Sequence, residues 1–111
     1  MRDKIKNIDI YYMITAILTH SKNKLKRYCV KIDNKTINFG SSQHENYIIH
    51  KDKDRRKRYI ERHQKREDWT IKGIKTPGFF SYHLLWTEPT IEGAIDRLQR
   101  KYKSLKIINN L

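Results

Sequence analysis

The stretch YCVKIDNKTINFG, Tyr28 to Gly40, changes character every second residue on both sides of a polar centre. Tyr28, Val30 and Ile32 are interleaved with Cys29 and Lys31. Beyond Asp33-Asn34-Lys35, Ile37 and Phe39 are interleaved with Thr36 and Asn38. Successive side chains of an extended chain point to opposite faces, so each half gathers its apolar residues on one face. Asp-Asn at the centre tolerates the positive φ that a tight reversal requires. The stretch therefore predicts a β-hairpin. Gly40-Ser41-Ser42 reads as a break after the second strand, and the apolar run Tyr47-Ile48-Ile49 could supply a third. A hairpin alone is marginal in water, so neighbouring segments must cover its apolar face.

Working outward, three segments offer such cover. On the N-terminal side Ile10, Met13, Ile14, Ile17 and Leu18 recur at helical spacing and predict an amphipathic helix, although β-branched residues and paired tyrosines leave a strand open. The polar linker Ser21 to Lys26 separates it from the hairpin. Further along, Phe79, Phe80, Tyr82, Leu84, Leu85 and Trp86 are dense enough to need burial on nearly all sides, as in a short helix plugging the sheet and stopped by Pro89. Gly73 and Pro77-Gly78 mark turns before it. Thr90 is a good N-cap for a last helix, with Ile91, Ala94, Ile95, Leu98, Tyr102 and Leu105 forming one buried stripe. Gly93 inside that helix costs about 1 kcal/mol relative to Ala, which suggests a close helix contact. Residues 106–111 carry no clear pattern. The expected architecture is α+β: an antiparallel hairpin or three-stranded sheet packed against N-terminal and C-terminal helices, with a basic surface helix between them. Residues 1–26 form an apolar and basic extension, and residues 27–105 a single domain.

A chain of 111 residues with 37% hydrophobic and 33% charged residues has room for one modest core. Its aromatic residues carry much of that core, since each buries roughly 150–250 Å². The one cysteine, Cys29, excludes an internal disulfide and a cysteine-rich zinc module; it reads as a small apolar side chain in a strand, in a reducing compartment. The apolar run Ile8 to Leu18 follows Arg2, Lys4 and Lys6, but eleven residues are too few for a membrane span, which needs roughly 20. Asp9 and the lack of a small-x-small cleavage site argue against a signal peptide. The run reads as an ordered helix or strand, or as a docking segment.

Charge carries the functional signal. The formal net charge is +13, and from Lys51 to Arg66 nine Lys/Arg face three Asp/Glu. A helix over this stretch, capped by Asp52 or Asp54 and ending near Arg66 or Glu67, has only Tyr59, Ile60 and the His63 ring to bury. The rest of its circumference stays wet or meets a polyanion, and a phosphate backbone relieves its self-repulsion by releasing counterions. Arg55, Arg56, Lys57, Arg58, Arg62, Lys65 and Arg66 are the candidate phosphate ligands, with Arg55, Arg58 and Arg62 on one face by three-and-four spacing. The bland reading is a solvated helix that keeps the protein soluble. Trp69 is the candidate for stacking on bases, beside Phe79, Phe80 and Trp86, whose clustering fits a small core better. His44, His50, His63 and His83, with Asp52, Asp54, Glu67 and Asp68, are raw material for a metal or nuclease site. They lack the i, i+4 His pair or the acidic triad of such sites. Neither a catalytic residue, nor a metal site, nor a cofactor is expected.

The order of these pieces also resembles a known group. His50-Lys51-Asp52, Arg58-Tyr59 with Arg62-His63, Glu67-Asp68-Trp69, Gly73-Ile74-Lys75-Thr76 and Leu84-Leu85-Trp86 with Pro89-Thr90 are distinctive in combination. Over roughly Tyr28 to Ile95 the chain is similar to short basic proteins of unknown function encoded by giant nucleocytoplasmic DNA viruses of the mimivirus and phycodnavirus kind. The resemblance implies a viral origin, in a virion or in the viral factory of the host cytoplasm. It brings no activity and no functional residue. Together the readings lead to a non-enzymatic protein that contacts nucleic acid, foremost double-stranded DNA, through its backbone without sequence specificity, in genome packaging or the virion core. The alternative is a minor structural protein that bridges capsid or core proteins through its basic face and apolar N-terminal segment.

Overall fold

The computed structural model of the protein describes residues 13–111. The hairpin forms as the alternation dictates: β2 (Lys26–Ile32) and β3 (Lys35–Ser41) are antiparallel, with Tyr28 opposite Phe39 and Val30 opposite Ile37. Asp33 takes φ 55 at the reversal, the conformation expected of the Asp-Asn pair. Gly40 does not end the second strand. It sits inside β3 at φ 80, where a Cβ would stand 2.8 Å from Leu85 Cδ1.

Two strands complete the sheet. β1 (Ile14–His20) lies antiparallel to β2, and β4 (Leu105–Asn109) lies parallel to β1, giving the order β3-β2-β1-β4. The expected N-terminal helix is thus corrected to a strand. Its three-and-four spacing is incidental: Ala16 and Leu18, two apart, are buried on the face that also buries Val30, Ile32, Ile37, Phe39, Leu105 and Ile107, while Met13 is half exposed. Ile10 and the rest of residues 1–12 lie outside the described residues. Because β1 is flanked by β2 and β4, the sheet runs straight across the boundary expected at residue 26. The sheet is mixed, not purely antiparallel.

Tyr47-Ile48-Ile49 adds no third strand. It forms the short α1 (Tyr47–His50), because the Asn46 side chain accepts from the Ile49 N–H and starts a helical turn. α2 (Lys53–His63) follows, capped by Asp52, whose side chain accepts from the N–H groups of Asp54 and Arg55. It ends three residues earlier than the charge run suggested. A 3-10 turn (Ile71–Gly73) leads to α3 (Pro77–Leu85), with Thr76 as N-cap and Phe79, Phe80, Leu84 and Leu85 buried to within 1%. This is the expected plug. Full burial of each such side chain contributes roughly 1.5–3 kcal/mol.

α4 (Ile91–Lys101) is capped by Thr90 and buries Ala94, Ile95 and Leu98. Its stripe stops at the C-cap Tyr102, so Leu105 belongs to β4 and residues 105–109 are an edge strand. Gly93 marks no helix contact. A Cβ there would meet Thr90 Oγ1 at 2.9 Å, so its smallness serves the cap. α3 packs on β3 and on α4, and α4 packs on β4, so the core lies between one sheet face and these two helices. Cys29 is buried on the other face, in register with Thr19 and Asn38. The fold is α+β, as expected.

Candidate nucleic-acid interface

α2 is held against the domain by one side only. Tyr59, its one buried residue, is sandwiched between Trp86 (ring centroids 4.1 Å apart, planes 4° apart) and His63 (4.1 Å, 19°). The Tyr59 hydroxyl donates to Ser81 Oγ at 3.3 Å, and burial pushes its pKa up to about 12. A tyrosine in such a stack cannot also stack on a base. It fixes the rotation of α2, and with it the direction in which every cation on that helix points.

That rotation divides the seven candidate cations. Arg56 turns inward: its Nε donates to the Trp86 carbonyl at 2.8 Å and its guanidinium lies 5.6 Å from the centre of the Tyr47 ring. Both contacts hold α2 in place, so Arg56 is spent on the fold. Arg55, Arg58 and Arg62, the face predicted from spacing, line a cleft of about 550 Å³. Arg55 is paired with Glu45 at 3.1 Å, an exposed contact that contributes at most about 1 kcal/mol. Lys57, Arg58, Lys65 and Arg66 are exposed, as is Arg62. Among the described residues none of these five makes an ion pair.

The cleft is built from three distant parts of the chain. α2 supplies its arginines and His63. The end of the hairpin supplies Lys26, Phe39, Gly40 and Ser41, followed by His44, Glu45 and Asn46. The start of α3 supplies Pro77, Gly78 and Ser81. Arg27 pins the hairpin rim: its Nε donates to the Ser41 carbonyl at 3.1 Å and its Nη2 to the His44 carbonyl at 3.0 Å. His44 Nδ1 is hydrogen-bonded to Ser41 Oγ at 2.9 Å. Lys26, Ser41, Gly78 and Ser81 were not among the candidate site residues read from sequence, where Ser41 and Gly78 marked only a break and a turn. Nothing local assigns them to a site, because only the tertiary fold brings them beside α2.

Glu67 lies where α2 and α3 meet. Its carboxylate accepts from His63 Nδ1 at 3.0 Å and from Trp69 Nε1 at 2.9 Å, which requires the His63 proton to sit on Nδ1. It also lies against the first turn of α3, where a Cβ on Gly78 would come within 2.8 Å of its Cδ. A carboxylate at a helix N-terminus is favoured by the macrodipole. Trp69 stacks on Tyr82 (3.8 Å, 6°), so one face of the ring expected to meet a base is already covered. Phe79, Phe80 and Trp86 are buried in the core.

The remaining imidazoles and carboxylates are dispersed. His83 is buried in α3 and donates from Nε2 to the Trp69 carbonyl at 2.8 Å; burial pulls its pKa down to about 4. His50 Nδ1 accepts from the Asp52 N–H, so its proton is on Nε2. That atom is buried without a partner among the described residues, and desolvation, then Arg55, lower the His50 pKa. Asp52 is lowered chiefly by the N–H of Arg55 as a cap, and Asp68 chiefly by the Thr70 hydroxyl. Asp54 lies in the first turn of α2, where it favours the helix dipole. Among the described residues no cluster of three or more His, Cys, Asp or Glu could hold a metal ion. Nor is any described helix long and apolar enough to cross a membrane.

Compared with known proteins, residues 16–63 match the model of a "Family of unknown function (DUF5754)", which covers less than half of the 111-residue chain. The match takes in β1 from Ala16 on, the hairpin, α1 and α2, and so most of β1, two further strands of the four and the whole basic helix. Neither curated proteins nor solved structures gave a match.

Proposed function

We propose that this protein binds nucleic acid through its phosphates, without reading base sequence and without carrying out a reaction of its own. The observation that carries this reading is the pair Arg58 and Arg62, one turn apart on α2, exposed and free of any carboxylate among the described residues. Lys57 on α2 and Lys65 and Arg66 in the turn after it extend the same charge. A merely solubilising helix gains from surface ion pairs that quiet its self-repulsion; here these five cations, on α2 and in the turn after it, make no ion pair among the described residues. Phosphate is the natural complement, since guanidinium groups bind it bidentately and release its counterions. Among the described residues Trp69 and Tyr59 are already stacked and Phe79, Phe80 and Trp86 are buried, which with the lack of a base-reading motif favours backbone contact. The resemblance to short basic proteins of giant DNA viruses supports a role in genome packaging or the virion core.

The test is the double variant Arg58→Glu, Arg62→Glu. Its far-ultraviolet circular dichroism should match the parent, because neither side chain forms an ion pair among the described residues. Its affinity for DNA should fall by at least about tenfold, and the slope of log K against log salt should flatten by about two, near 0.9 per lost phosphate contact. An unchanged slope in a gel-shift titration would defeat the proposal.

A further inference from the structure

We infer that the cleft between α2 and the end of the hairpin seats one nucleoside phosphate, free or as an unpaired nucleotide of a strand. This rests on the phosphate-binding reading above and narrows it to one ligand form. Size is the first argument. At about 550 Å³ the cleft falls within the roughly 300–1,000 Å³ of sites that hold a small organic ligand. A duplex meets protein differently: its major groove, about 12 Å wide, receives a convex helix and does not enter a cavity.

Charge is the second argument. Lys26, Arg55, Arg58 and Arg62 stand against Glu45 and Glu67, leaving an excess of two positive charges before any imidazole is protonated. A phosphodiester carries one negative charge and a terminal phosphate up to about two at neutral pH. Arg55 is tied to Glu45, and Glu67 to His63 and Trp69, so the uncommitted cations are Arg58, Arg62 and Lys26. They come from two separate elements, so the phosphate is gripped across the cleft and not along one helix.

Chemical variety is the third. A site for bare phosphate needs only donors. This one also holds the hydroxyls of Ser41 and Ser81 and carboxylate acceptors, groups that a sugar and base would use. Lys57 on α2, and Lys65 and Arg66 in the turn after it, do not line the cleft. They remain available to track the flanking backbone of the same strand or a duplex.

The experiment is an amide NMR titration of the full chain with four probes: inorganic phosphate, thymidine monophosphate, an oligothymidylate of eight nucleotides, and a blunt duplex. Thymidine monophosphate and the oligonucleotide should move the amides of Gly40, Ser41, Gly78 and Ser81. The duplex should move Lys57, Lys65 and Arg66 instead. Tighter binding of the oligonucleotide than of the monophosphate identifies a strand as the source; equal binding identifies the free nucleotide. Arg58→Gln with Arg62→Gln should weaken oligonucleotide binding by at least about tenfold, against threefold or less for Lys57→Gln with Lys65→Gln. If the oligonucleotide binds while the cleft amides stay still, or if phosphate alone moves them as far as the monophosphate does, the inference is overturned and backbone binding stands. If no probe binds, both fall.

Discussion

Acidification from pH 7 to pH 5 should cost this fold about 2 kcal/mol through one side chain, His83. The imidazole is 4% exposed beneath Tyr82, Phe79 and Tyr102. Burial disfavours its charged form, the hydrogen bond to the Trp69 carbonyl partly offsets this, and Lys101 and Arg97 add to the depression, so the pKa falls from 6.5 to about 4. The unfolded chain therefore takes up this proton more readily than the folded one. The stability it represents is whole above pH 6.5 and is lost progressively as pH falls toward 4. Over the full window the loss is about 3 kcal/mol, of which about 2 kcal/mol falls between pH 7 and pH 5. That is a large share of a typical stability of about 5–15 kcal/mol. Urea unfolding followed by tryptophan fluorescence at the two pH values measures it directly. His83→Gln keeps an amide donor near the Trp69 carbonyl but cannot titrate, so most of the pH dependence should vanish in it. Equal pH dependence in the parent and the variant would refute the reasoning.

Other side chains separate fold from binding. Arg56→Gln should cost about 1–2 kcal/mol, since it breaks a charged hydrogen bond to the Trp86 carbonyl, yet leave the salt dependence of DNA binding unchanged; a flatter slope would return Arg56 to the interface. Tyr59→Phe should cost no more than about 1 kcal/mol, the value of one hydrogen bond, whereas Tyr59→Ala should cost about 3–5 kcal/mol by emptying the stack between Trp86 and His63; denaturant midpoints distinguish the two. Thr90→Ala should remove about 1 kcal/mol by stripping the cap of α4, read as a loss in thermal midpoint with no change in DNA retention on a column.

The hairpin was legible because its large apolar residues alternate with polar ones and the small Cys29, so the period of two had no competitor. In β1 the same period was masked. Ala16 faces the core but is too small to register in a hydrophobic pattern, and Ile14, Ile17 and Leu18 then mimic a helical stripe. β4 was hidden for the converse reason: Leu105 extended the stripe of α4 by one turn, although Tyr102 had already left the helix. At Tyr47-Ile48-Ile49 three apolar residues carry no period at all, and the cap at Asn46 decided the outcome. The basic helix and its cap at Asp52 were legible from local chemistry. Which of its cations would be free was not, because that depends on Trp86 and Tyr47, brought to α2 by the tertiary fold. The cleft has no sequence signature, since its other side comes from the hairpin end and the start of α3.

The parallel pairing of Ile14 with Leu105 has a kinetic corollary. Until the last strand arrives, β1 exposes a full row of unsatisfied amides and carbonyls, and the chain that must close this gap is nearly as long as the domain. Closures of that span are slow and leave a sticky rim open meanwhile. Refolding should accordingly be dilution-sensitive, with premature self-association, and not slow hairpin formation, as the main source of lost yield.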